Sequence, residues 1–260
     1  MILRPLDSPA QPASETELIP AWRAVERLQR TPCESCWMIT QPSHAALAGD
    51  IAAALRDPRI PKLEADLVRA IALHDAGWGM PDAQAVMRSR AAQQNAPNSF
   101  LEVSVPEFLV AWTQSIEVAL SASPAGGYMV SRHFWRLAEH RVNTAEDTQT
   151  DRKRLQDFLG FETERQRKLS AKQNRSSNEL EALADVLQFC DLISLYLCSG
   201  AQEKVEFPEY FGARVKLTPA SNGFRLDPPI IPAGTQFSVA ALRHPAIKGE
   251  SGRQISFQVS

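Results

Sequence analysis

The chain of 260 residues has little net charge, few cysteines and no long apolar run, and each shortage removes a class of explanation. Lys+Arg number 28 against 30 Asp+Glu, a formal net charge of -2, which argues against general attraction to nucleic acid or an anionic lipid surface. The expected partner is a small-molecule substrate, with no nucleic acid and no membrane. No stretch approaches the roughly 18 to 20 consecutive apolar residues of a membrane span, and the first residues lack the basic start and apolar core of a signal peptide. A cytoplasmic protein is therefore expected. Four cysteines in a chain this long do not make a disulfide scaffold. Cys33 and Cys36 form a CxxC, but a closed zinc site wants a second such pair, and Cys190 and Cys198 are wrongly spaced for it. The GxGxxG and GxxxxGK[ST] phosphate loops and the GxSxG nucleophile elbow are also missing.

What is present is enough apolar residue, 44%, against 22% charged, to bury a substantial core. Residues 1–15 read as a loose arm or short strand, Pro20 to Gln29 as a surface helix, and Cys36 to Thr40 as a short strand. From Ser43 helical periodicity takes over, closed by Pro58 and Pro61, with His44 in the first turn. Leu63 to Gly77 repeats the pattern, places His74 and Asp75 in its last turn, and has Gly77, Gly79 and Pro81 as its stop. Further helices are expected over Pro106 to Leu120 and Gly127 to Glu139, a solvated helix or helix plus loop over Asp151 to Arg175, and an apolar helix over Glu179 to Cys198. After Gly200 short alternating runs (214–217, 223–226, 236–240, 255–259) predict a small antiparallel sheet.

The chemistry-bearing residues are His44, the His74-Asp75 doublet and Asp191, all on apolar helices. Neighbouring helical residues point about 100° apart, so His74 and Asp75 share an environment only if something between them accepts ligands from both. A divalent metal does, and imidazole nitrogen with carboxylate oxygen suits Mn, Fe, Ni, Co or Zn while relieving the burial of Asp75. The bland alternatives are a helix cap or surface position for His44 and an arginine partner for Asp191.

In that order, these residues resemble the H...HD...D signature of the HD superfamily of metal-dependent phosphohydrolases. The stretches QPSHAALAGDIA, AIALHDAGW, SRHFWRLA and CDLISLYLC are more specifically similar to an uncharacterised HD-like bacterial family, over about residues 36 to 200. The resemblance implies a mainly α fold: an HD-domain-like helical bundle over 36–200 with a metal on His44, His74, Asp75 and Asp191. An arm and surface helix would precede it over 1–35. A small C-terminal antiparallel β extension would follow over 201–260, packed on the bundle, and whether it covers a helical face, completes a homodimer or shapes the pocket is left open. Members holding two metals usually carry two more histidines, where this chain has His133 and His140; seven residues apart on one helix, they lie two turns apart. His133 is expected to take part, and His140, between Glu139 and Arg141, to lie on the surface. Arg132 is a candidate for a phosphate or a solvated residue, Trp78 for the pocket mouth or the core, and Asp82 for the pocket mouth or a loop cap.

The function expected from the resemblance is a phosphohydrolase acting on a small phosphorylated molecule or nucleotide. Asp75 would hold the attacking water, and His133 or Arg132 would offset charge on the transferring group. The alternatives are a di-iron oxygenase on the same scaffold and a non-catalytic metal- or ligand-binding module.

Overall fold

A computed structural model of the chain describes residues 1–6, 17–92, 97–220, 223–247, 249 and 252–260. The helices follow the apolar periodicity closely. Helix α1 (Ala21–Arg30) buries Ala21, Ala24 and Val25, and α2 (Gln41–Ala54) starts at Thr40, whose hydroxyl accepts the Ser43 N–H, with Pro42 in the first turn where no donor is lost. Helices α5 (Val105–Ala122), α6 (Pro124–Thr144), α7 (Gln149–Ser170) and α8 (Ser177–Ser199) each begin at a Ser or Thr N-cap. In α8 the cap is a reciprocal box between Ser176 and Glu179, and the helix ends at Gly200 in the left-handed region (φ 77°). Among the described residues α8 is long and apolar enough to cross a membrane, but 83% of its apolar window is buried inside the protein. It is the core helix, with α1, α2 and α6 packed on it.

Between α2 and α5 the chain departs from the expected single helix. Helix α3 (Ala65–Ala72) stops early: Leu73 takes φ -109°, ψ 3°, and His74 and Asp75 lie in a turn leading to a 3-10 segment, Ala76–Trp78. A new helix, α4 (Gly79–Ala92), then starts where Gly79 and Pro81 were expected to end one. Pro81 is tolerated because it sits in the first turn, where its missing N–H has no partner to lose.

The mainly α expectation with a small C-terminal β extension is wrong. The fold is α/β, 56% helix and 19% strand, with one curled mixed sheet of eight strands. The C-terminal strands β4 (Val205–Tyr210), β5 (Ala213–Ala220), β6 (Gly223–Asp227), β7 (Gln236–His244) and β8 (Arg253–Val259) are joined by β1 (Ile2–Pro5), β2 (Ile19–Pro20) and β3 (Cys36–Ile39) in the order β1-β3-β7-β8-β6-β5-β4-β2. Pairing is antiparallel except for β6 with β8 and β2 with β4. The cause is non-local pairing: Ile2 lies opposite Ile39, and Cys36 opposite His244, so the N-terminal segment is part of the sheet rather than a separate arm. Residues 7–16 of that arm lie outside the described residues.

Candidate metal centre

Three helices and one turn bring five titratable side chains to one point. His44 comes from the first turn of α2, His74 and Asp75 from the turn after α3, His133 from α6 and Asp191 from α8. The break after Ala72 answers the geometric objection that adjacent helical residues diverge, because His74 and Asp75 are not helical. Two close approaches hold this turn in place. Gly77 donates its N–H to Ser115 Oγ (3.0 Å), and a Cβ at Gly77 would lie 2.1 Å from the Ala111 carbonyl oxygen on α5, so no larger residue fits there unless the backbone shifts. Likewise a Cβ at Gly49 on α2 would meet the Ala72 methyl at 2.5 Å.

The hydrogen bonds fix which nitrogen of each histidine faces the centre. His74 Nδ1 is 2.8 Å from the Ile71 carbonyl, which only accepts, so Nδ1 carries the proton. His44 Nδ1 is 2.9 Å from Ser194 Oγ, whose own hydrogen goes to the Asp191 carbonyl (2.8 Å), so this Nδ1 also donates. Both neutral rings therefore aim an Nε2 lone pair inward, onto carboxylates. His44 Nε2 is 2.8 Å from Asp75 Oδ2 and 3.9 Å from Asp191 Oδ1; His74 Nε2 is 3.3 Å from Asp191 Oδ1 and 3.7 Å from Asp75 Oδ2. Lone pairs facing lone pairs at these distances repel unless a cation joins them. A ring nitrogen held through a donor at the far side, as here, is also the usual arrangement of a metal-bound histidine. His133 adds Nε2 at 3.8 Å from Asp191 Oδ2, and its buried Nδ1 has no hydrogen-bond partner among the described residues.

Two overlapping groups, His44-His74-Asp75 and His74-His133-Asp191, thus offer ligand atoms close enough to hold an ion. With protons as the only cations, the site responds strongly. Burial opposes the His74 imidazolium, but Asp75 and Asp191 outweigh it and hold its pKa up at about 9. Burial pushes His133 down to about 4, with Asp191 offsetting only part of this. Burial would raise Asp191, yet the hydrogen bond from His74 and the neighbouring histidines bring it down to about 2.

The other expected residues fall differently. Trp78 is buried and lines the cavity. Asp82 does not reach it: Oδ2 accepts the Gln41 N–H at 2.6 Å, Oδ1 lies 3.3 Å from the Met1 amino nitrogen, and the residue braces the start of α2. Arg132, one position before His133, points away, pairing with Glu181 (2.9 Å) and lying 4.4 Å over the Trp135 ring. His140 is exposed, as expected, but it also borders the cavity mouth. All four cysteines are free thiols, and among the described residues no cysteine joins a metal-holding group. Ser194 was missed, although its place three residues after Asp191 on an apolar face was a usable signal. The cavity beside the histidines, about 310 Å³, is walled by aromatic side chains, of which the sequence singled out only Trp78, for the pocket mouth or the core.

No curated protein and no solved structure matches the chain. A family model described as "Protein of unknown function (DUF3891)" matches residues 28–231, a span that contains His44, His74, Asp75, His133 and Asp191. That match covers most of the chain, which therefore belongs to the DUF3891 family.

Proposed function

We propose that the protein is a metal-dependent hydrolase of HD-like type, acting on a small phosphate ester, with a divalent ion held by His44, His74, Asp75 and Asp191. The observation that carries this reading is the inward convergence of two histidine Nε2 lone pairs on two carboxylates, with both Nδ1 atoms committed elsewhere. Such an ion, when bound, makes water a better nucleophile near neutral pH and offsets charge on a phosphoryl oxygen. In the reaction a water oxygen bonds to phosphorus, the bond from phosphorus to the ester oxygen breaks, and the water protons end on the alcohol and phosphate products. Asp75, whose Oδ2 lies 2.8 Å from His44 Nε2, is in this reading the carboxylate that orients that water. His133, kept neutral by burial, is a proton acceptor or donor at the cavity wall. Arg132 has no part in this reading, because Glu181 occupies it.

The test is metal analysis of the purified protein followed by turnover on phosphomonoesters and phosphodiesters. Bound metal with turnover that disappears in His74→Ala supports the reading. Absence of metal, with no shift in melting on adding Mn, Ni or Zn, overturns it. The overlapping groups that share His74 favour a second reading, a di-iron oxygenase, which would instead show two equivalents of iron and a visible absorption band.

A further inference from the structure

The cavity wall and its charge balance bear on what the centre acts upon. Three of the five tryptophans, Trp22, Trp78 and Trp112, line the cavity. They pack against further lining rings: Trp78 on Phe108 (5.1 Å, edge-on), Trp112 stacked on Phe134 (5.1 Å, 16°) and Trp22 on Phe100 (6.4 Å). These contacts hold the wall in a set shape and offer ring faces and edges to a ligand. Among the described residues no Lys or Arg lines the cavity. The guanidinium groups around it are engaged: Arg132 with Glu181, Arg136 with Glu181 and Asp185, and Arg141, 5.7 Å from the Phe108 ring, with Asp147. The fixed charges inside are the carboxylates of Asp75 and Asp191, which together balance one divalent ion and leave no surplus positive charge. A polyphosphate entering this space would keep most of its charge unpaired against apolar walls, which is costly. The volume, about 310 Å³, lies at the small end of ligand sites, which run from about 300 to 1,000 Å³.

We infer that the substrate is a compact molecule with an apolar, ring-sized body and a single acidic group directed to the histidine-aspartate centre, and not a nucleoside polyphosphate. This rests on the metal reading above for the acidic end, and on the aromatic wall alone for the apolar end. The test is calorimetric binding to the full chain loaded with Mn, using the non-hydrolysable probes naphthylmethylphosphonate, methylphosphonate and ATP, and the neutral naphthylmethanol. Naphthylmethylphosphonate is expected to bind at least tenfold more tightly than methylphosphonate and more tightly than ATP. Leu137→Arg, at a mouth position 37% exposed where a charge does not threaten folding, is expected to shrink the preference over ATP. With metal retained, equal binding of the two phosphonates, tighter binding of ATP, or no binding of a naphthyl probe overturns the inference. A protein that retains no metal yet binds naphthylmethanol refutes the metal reading and upholds the apolar cavity.

Discussion

Ser194→Ala removes one oxygen that never reaches the proposed ion, and its consequence follows from the hydrogen bonds. Ser194 Oγ accepts the Nδ1–H of His44 at 2.9 Å while giving its own hydrogen to the Asp191 carbonyl, and both side chains are buried. In the variant that Nδ1–H has no acceptor, and an unsatisfied buried donor costs about 1–3 kcal/mol. The ring is also freed to rotate or to move its proton to Nε2, the nitrogen facing Asp75. Loss of such an outer partner typically lowers metal affinity by about 10–100-fold, which matches that energy range. The assay is competition with a chromophoric chelator for Zn or Co, alongside thermal unfolding in chelator. Repeating it on His44→Ala isolates the coupling: once the ring is gone, Ser194→Ala should cost less than about threefold, since contacting residues are not additive. Unchanged affinity in Ser194→Ala, or an equal loss in both backgrounds, would refute the claim that Ser194 acts by fixing the His44 tautomer.

Other outcomes follow from the same geometry. His74→Ala should abolish metal binding in a chelator titration whereas His140→Ala, at the cavity mouth, should leave it intact; the reverse result would mean the wrong histidine was assigned. Gly77→Ala must move the His74-Asp75 turn away from Ala111, and an overpacked contact of this kind should cost about 1–3 kcal/mol in denaturant unfolding, with metal affinity falling in parallel. For pH, the raised His74 pKa, about 9 against an ordinary 6.5, gives a definite sign. That proton stabilises the metal-free fold fully below pH 6.5, and the stabilisation is lost as pH rises through 9. Metal must displace the proton, so apparent affinity should climb with pH up to about 9 and then level off, with proton release measurable in weak buffer. Arg132→Ala should leave turnover nearly unchanged, because its partner is Glu181 rather than substrate; a large drop in kcat would return Arg132 to the reacting centre.

Apart from α4, the helices were legible because their apolar residues recur with the helical period, and so were the ligand types, since a histidine or aspartate on such a face demands a partner. The break after Ala72 was not legible. The apolar pattern from Leu67 through Ala70 and Ile71 runs on to His74 at helical spacing, and the close approach of Gly77 to Ala111, which the turn after Ala72 accommodates, involves a different helix. The sheet was hidden for a related reason. Strands β1 and β3 are four residues each, and β3 finds its partner β7 some two hundred positions away, a pairing that no local window contains. Aromatic residues such as Trp112 and Phe134 have the same helical spacing whether they face the core or a cavity, so the apolar wall emerged only once the helices were assembled. Arg132 and His133 show the opposite case: one residue of helical rotation separates the solvent-side pairing of the first from the buried position of the second.

The central claim is that His44, His74, Asp75 and Asp191 hold a divalent ion. Its most direct measurement is a titration of chelator-stripped protein with Co(II), followed by visible absorption and calorimetry, on wild type and His74→Ala together. Saturable binding of at least one equivalent is expected in the wild type, with ligand-field bands of nitrogen and oxygen coordination, and none in the variant. Binding that is absent from both, or identical in both, would contradict it.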